Sequence, residues 1–525
     1  MQLLLSTCFR LVQQHYIIMF MILWQSASIL WRFWWKIPTG VKIVAYPTVL
    51  GRWLTALRMS FNSDEFIQRA YDQANGQPFA IPLTDRWIVY VSDANQIKKL
   101  DLEPDSVLSR EQGLHEFGWT QQTLGHLRLP PDTSGPKSEN FRVVNGVLKN
   151  KLRTELPALR EHFKSIFKTA LRSEFGISKT AQSDQIEWSR CWLMPTLFRI
   201  ITRMNLSILV GEEQANQHTV VQDALSYLFC VSCTVLACQL LNKFCSFVIP
   251  ITMGFGLSRS RVFKVFLLMT EQALNKRSLT DINLVRYSNI TGWAVEMTKL
   301  KEATAIAKIS FGVFFAGSFS VPLLIQACIY RMCMHPEYLT KLREEALEGR
   351  NLPLNVGNHE MPYLDSFIRE TARLSPSLTL SSIRSVMHSY TSSDGYHIPK
   401  GNWIASPQSP IMRDENLIPR AKEFDGFRFL DKEMVSARAR LTHPSQSFLF
   451  WGPAKNPCPG RFYVSVIVKE LLSQLLLDYD FMLVDPTARP FWTIGKVRLA
   501  SPFMSLLVRK RIVGPLVADD QNRSI

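Results

Sequence analysis

Cys458 stands in the run Phe450-Trp-Gly-Pro-Ala-Lys-Asn-Pro-Cys-Pro-Gly-Arg-Phe462. Pro457 and Pro459 flank the thiol and Gly460 follows, so the segment can be neither regular helix nor a central strand. It is a rigid loop that presents one sulfur just before an amphipathic helix running from Phe462 to about Leu477. At that helix's N-terminus the dipole and the free N–H groups are expected to favour thiolate. A fixed thiolate with no second ligand beside it suits the axial position of a haem iron, where electron donation promotes O–O cleavage. A buried inert cysteine fits the same spacing.

Other reactive residue types are easier to explain without chemistry. Glu370-Thr-Ala-Arg373 places a carboxylate and a guanidinium at i and i+3, where they can form a bidentate pair, and an exposed helical ion pair would read the same. Cys230-Val-Ser-Cys233 is formally Cys-x-x-Cys, but its neighbours are Leu, Phe, Val and Ala. No second pair is in view, so it reads as packing, or as a shallow membrane contact of the apolar stretch Leu225 to Leu241.

Together and in order, these segments resemble the cytochrome P450 family. Trp451, Gly452, Cys458, Pro459, Gly460, Arg461 and Phe462 match the family's cysteine loop, in the version common among fungal members. Ala454 stands where a second glycine is usual, so strain is expected in that turn. Asn456 stands where a basic residue usually meets a haem propionate. Met361 to Pro376 is similar to the family's stretch around Glu-x-x-Arg. Pro419 to Phe429 resembles the meander whose arginine, here Arg428, closes a structural triad with Glu370 and Arg373. Arg384 lies where the family places a propionate arginine. Phe315-Ala-Gly-Ser-Phe-Ser-Val-Pro322 is similar to the oxygen-activating stretch of the long central helix. The resemblance gives Ala316 and Gly317 a close approach to the haem and Ser320 the proton-delivering hydroxyl. Phe319 replaces the usual acid. Pro322 has no N–H, so the carbonyl of Ser318 loses its helical partner, and an opening is expected there.

The resemblance implies a haem b enzyme, with Gly452 and Gly460 shaping the loop that holds the cofactor. It implies a monooxygenase that takes electrons from NADPH–cytochrome P450 reductase and places one atom of O2 in an apolar small molecule. The wording of the motifs looks like filamentous-fungal members of secondary metabolism, whose substrates are often terpenoids, meroterpenoids or indole alkaloids. Phe319 and Asn456 keep open a desaturase, a ring-forming oxidase or a rearranging enzyme, and a degenerate, non-catalytic haem protein is a separate alternative. Trp119 to Leu129, Leu225 to Phe255 and Leu378 to Ile383 are the stretches expected to line the pocket.

Several elements must position these groups. Pro78 to Pro82 and Trp87 to Ser92 read as strands, Asn140 to about Glu345 as mostly helical in period, and Arg384 to Trp403 as strand again around the turn at Asp394-Gly395. Phe481 to Val484 and Phe503 to Val508 look like closing strands. The expected fold is mainly α (α+β), the P450 fold with small β-sheets, preceded by an N-terminal transmembrane helix. Tyr16 to Trp35 is apolar except for Gln25, Ser26, Ser28 and Arg32, and about 20 such residues span a bilayer. A collar of Trp31, Phe33, Trp34 and Trp35, followed by Lys36, Lys42 and Arg52, places the bulk of the chain in the cytosol. The boundaries are then an anchor and linker over 1–40 and a catalytic domain over 41–525, single-pass in the endoplasmic reticulum membrane. In that compartment the sequons at Asn205, Asn289 and Asn522 go unused and the cysteines stay reduced.

Length and charge agree. The 525 residues are 46% hydrophobic and 20% charged, which excludes a disordered chain, and nine cysteines are too few for a disulfide scaffold. The net charge of +16 suits an acidic partner or an anionic membrane. No basic run exceeds Arg509-Lys-Arg511, which argues against nucleic acid.

Overall fold

The computed structural model describes residues 36–117, 120–127, 139–175, 188–240, 248–279, 289–351, 361–430 and 440–511, together with Trp24 and Ala27. The expected anchor over Tyr16 to Trp35 lies outside the described residues except at those two positions.

Helices dominate. The main ones are α1 (Leu152–Glu174), α2 (Leu193–Val210), α3 (His218–Leu240), α4 (Leu257–Leu279), α5 (Ala303–Met334), α6 (Pro362–Leu374) and α7 (Arg461–Asp478). The central helix α5 is apolar nearly all round, as a helix with neighbours on most sides must be. It packs against α2, α4, α6 and α7, and α7 in turn packs on α1. α6 begins at Pro362, whose missing N–H costs nothing in the first turn. Every residue from Leu364 to Leu374 is buried.

The largest sheet has six strands: β1 (Lys42–Ile43), β2 (Phe79–Pro82), β3 (Trp87–Tyr90), β4 (Leu108–Ser109), β5 (Leu380–Val386) and β6 (Trp403–Pro407), in the order β1-β2-β3-β6-β5-β4. The pairs β1/β2 and β3/β6 are parallel and the others antiparallel. The register of β5 against β6 slips between Ser381 and Arg384, and Ser382 sits there at φ 54°. A bulge of this kind re-aims the next side chain, here Arg384.

Two strand features were not legible in the periodicity. Ser189–Trp192 interrupts the expected helical region and joins Tyr479–Leu483 and Ser505–Lys510 in a three-stranded sheet. Phe491–Ile494 and Val497–Ala500 form a hairpin. Both are short strands whose pairing partners lie far off in sequence, or whose residues do not alternate cleanly.

α2, the part of α3 from His218 to Cys238, and α5 are each long and apolar enough to cross a membrane, by length and composition. More than half of the span is buried within the protein in α2 and α5 (78% and 61%), and 44% in α3. The apolarity of α2 and α5 is therefore mostly spent on helix packing.

Candidate active site around Cys458 and the central helix

The cysteine loop is held by the backbone. The N–H of Cys458 donates to the Trp451 carbonyl at 2.7 Å, and that of Gly452 to Leu449 at 2.9 Å. Trp451 is anchored through its indole N–H to the Leu441 carbonyl at 2.6 Å. Gly452 lies at φ 84°, a left-handed conformation in which glycine carries no penalty. Gly460 has an ordinary φ of −80°, and a Cβ there would rest 3.9 Å from the Cys458 sulfur. The strain expected at Ala454 is absent. That residue is not in the left-handed region, because the turn from Pro453 to Asn456 closes with a 3.2 Å N–H···O bond at ordinary φ.

The N–H groups of Gly460 and Arg461 and the charges of Arg461 and Arg110 all favour a thiolate at Cys458. Burial is the larger effect and pushes the thiol above its usual pKa. The N–H groups at the helix N-terminus therefore act in the direction expected from sequence, without by themselves producing a thiolate. Desolvation outweighs them, and a cation at the sulfur must complete the deprotonation.

Of two basic residues that sequence reasoning missed, Arg110 reaches this loop and the charge of Lys149 is felt there. Arg110 donates through Nη2 to the Asn456 carbonyl at 2.7 Å. It forms no ion pair among the described residues. Burial, and after it the neighbouring Arg384, lower its pKa, against the pull of Asp101, Asp105 and Cys458. Lys149 lies in a π-helical turn, Gly146–Lys151, that leads into α1. Burial and Arg461 lower its pKa, while the Cys458 charge opposes them. Nothing in the local sequence marks either residue, since each is brought in by a separate element.

Arg384, the arginine expected at a propionate, neighbours Arg110. It is 5% exposed, donates to the Leu108 carbonyl at 3.1 Å and pairs with Asp101 at 3.0 Å. Its guanidinium is committed to a protein carboxylate, whereas that of Arg110 is not.

On α5, Ala316 and Ser320 are exposed while Phe314, Ser318, Val321 and Pro322 are buried. At i and i+4 they form one uncovered face of an otherwise enclosed helix. The Ser320 hydroxyl donates to the Ala316 carbonyl at 2.7 Å. Phe319 stacks on Phe315 with centroids 6.4 Å apart. Gly317 faces elsewhere: its close approach is to the Asn205 amide on α2, which a Cβ would meet at 3.3 Å.

The ion pair at Glu370 is far from a surface bridge. Glu370 and Arg373 are both fully buried. Arg373 grips the carboxylate with Nε at 2.8 Å and Nη2 at 2.7 Å, and donates through Nη1 to the Met412 and Ala421 carbonyls at 2.5 Å each. Arg428 Nε reaches Glu370 at 3.0 Å and the Asp425 N–H reaches it at 3.2 Å. The other Arg428 nitrogens hold the carbonyls of Pro419, Arg420 and Glu423. This network clamps α6 to the segment that precedes the cysteine loop.

A partly buried single cysteine, an uncovered face on the helix packed against α7, and a partly buried guanidinium with no carboxylate ion pair among the described residues fit a flat cofactor with an iron and acidic edges. A match to the cytochrome P450 family model covers residues 147–504, and the chain belongs to that family. It is 23% identical to the cytochrome P450 monooxygenase ptmQ of Penicillium ochrochloron, over 92% of this chain and 93% of the relative. It is 23% identical to the cytochrome P450 monooxygenase paxQ of Penicillium paxilli (88% and 90%). It is 25% identical to the ent-kaurene oxidase P450-4 of Gibberella fujikuroi (91% and 93%). The protein is an oxidoreductase of the monooxygenase type whose cofactor is haem b.

Haem b, when bound, supplies the redox chemistry that activates dioxygen. Cys458 would hold its iron, and the charge of Arg110 would suit an acidic edge. On the face that Ala316 leaves open, Ser320 holds a hydroxyl proton. With Phe319 beside it, this turn of α5 contains no carboxylate.

Proposed function

We propose that this chain oxidises an apolar intermediate of fungal secondary metabolism, of terpenoid, meroterpenoid or indole-alkaloid type. Electrons come from NADPH through NADPH–cytochrome P450 reductase. In this reading residues 1–40 anchor the chain in the endoplasmic reticulum membrane and 41–525 are the cytosolic catalytic domain. Cys458 ligates the iron, Ser320 delivers protons, and Glu370, Arg373 and Arg428 are structural. The observations that carry it are the single Cys458 presented by its hydrogen-bonded loop and the uncovered Ala316–Ser320 face of α5. The relatives' likeness over nearly the whole chain, one of them named an ent-kaurene oxidase, supports an apolar substrate. Exposed apolar residues support membrane contact: Leu50 and Phe61 near the N-terminal side, and Phe229, Ile251, Phe255 and Leu257 around α3 and α4. The charge of +16 fits an acidic reductase face.

Phe319 favours a second reading, in which a poor proton supply redirects the enzyme to desaturation or ring closure. Microsomes carrying the protein, a reductase and NADPH, offered terpenoid intermediates under oxygen-18 gas, separate the two. A hydroxylated product carries the label and a desaturated one does not. Absence of any thiolate-type carbon monoxide band in folded protein refutes both.

A further inference from the structure

We propose that Tyr463, Asn205 and Ser318 form a buried tether that positions the proton-handling turn of α5, in place of the backbone bond that Pro322 removes. The Tyr463 hydroxyl donates to Asn205 Oδ1 at 2.8 Å, and Asn205 Nδ2 donates to Ser318 Oγ at 2.9 Å. The chain joins three helices. Tyr463 lies in the first turn of α7, five residues after Cys458; Asn205 lies on α2; Ser318 lies on α5. All three side chains are buried, at 5%, 1% and 0% exposure. Burying such groups is costly unless each finds a partner, so the three hold one another in place. Burial also raises the Tyr463 pKa, which keeps it a neutral donor.

Its position on α5 gives the tether its meaning. Proline at 322 has no N–H for the Ser318 carbonyl, so the helix ladder lacks a bond at the residue whose side chain Asn205 holds. Gly317 leaves room for the Asn205 amide. Ser318 and Ser320 are two residues apart, about 200° around the helix. One hydroxyl is therefore held from α2 and α7 while the other sits on the uncovered face. Phe319 supplies no charge to orient that face. The placement of the Ser320 hydroxyl against Ala316 thus depends on where the backbone of this turn is held. Asn205, Tyr463 and Ser318 are positioning residues, and the inference rests on the reading of α5 as the oxygen-activating helix.

The test uses the full-length haem-loaded protein with reductase and compares Tyr463→Phe, Ser318→Ala and Ser318→Thr. Amide hydrogen exchange is followed over residues 314–326, and peroxide released per NADPH oxidised is normalised to carbon-monoxide-binding haem. Losing one hydrogen bond should speed exchange in that segment about three- to ten-fold, with the β-sheet and α6 unchanged. Peroxide per NADPH should rise about two- to ten-fold, well short of the ~10²-fold cost of deleting a proton-transfer group. Ser318→Thr, which keeps the hydroxyl, should restore both. Faster exchange spread evenly over the chain, or local loosening with unchanged peroxide, overturns the proposal. If the protein binds no haem, the functional reading fails by that result, and the exchange measurement still decides whether the tether exists.

Discussion

Replacing Glu370 by alanine should collapse the folded protein. The carboxylate accepts four N–H groups: Nε and Nη2 of Arg373, Nε of Arg428 and the Asp425 amide. Arg373 is fully buried, so no water can replace the lost acceptor. Removing one member of such a pair leaves an uncompensated buried charge, which costs about 3–5 kcal/mol. An exposed pair at the same spacing would cost about 0.3–0.5 kcal/mol. With total stabilities of roughly 5–15 kcal/mol, the loss is a large fraction of what keeps the chain folded. Glu370→Gln separates charge from shape, since it keeps the volume and one acceptor and should fall between wild type and Glu370→Ala. The assay is the yield of carbon-monoxide-binding haem per total protein, with the urea midpoint of whatever folds. A Glu370→Ala protein with wild-type haem yield and a midpoint shifted by less than about 1 kcal/mol would refute the reasoning and make the triad a surface-type pair.

Other outcomes follow from individual groups. Burial raises the Cys458 thiol, so haem ligation should release close to one proton, and haem affinity of the apoprotein should rise up to about tenfold per pH unit below the thiol pKa; dye-detected proton release and uptake titrations at pH 6 and 8 check this. Arg110→Met should speed haem transfer to an acceptor globin while leaving the apoprotein as stable or more so, because it deletes a partly buried guanidinium that has no carboxylate ion pair among the described residues. Ser320→Ala should raise peroxide release per NADPH, and unchanged coupling would remove Ser320 from the proton path. Burial lowers Lys496 from the usual 10.5 to about 8, so between those values the unfolded chain binds more protons than the folded one and stability rises with pH. Below pH 8 the full penalty applies, on the order of 3 kcal/mol, and Lys496→Met should recover part of it at pH 7, with the gain shrinking by pH 10.

What the sequence determined by itself is local. Proline on both sides of Cys458 forbids regular structure there, whatever surrounds it, so a rigid single-thiol loop could be read directly. Glu370 and Arg373 share a helix face by periodicity alone. Whether the ion pair is buried is not a local property, and only the packing of α6 under residues 412–428 decides it. The same limit explains Arg384 and Arg110. Motif order pointed to Arg384, and only the tertiary structure shows that it pairs with Asp101 and that the helix from Arg110 to Phe117 brings a second guanidinium to the cysteine loop. Gly317 shows it again, since its small size serves Asn205 on a helix more than 100 residues earlier. The thiol's protonation turned on tertiary structure for a physical reason: helix N–H groups act over one turn and can be read from spacing, whereas the desolvation that outweighs them is set by everything packed around the sulfur.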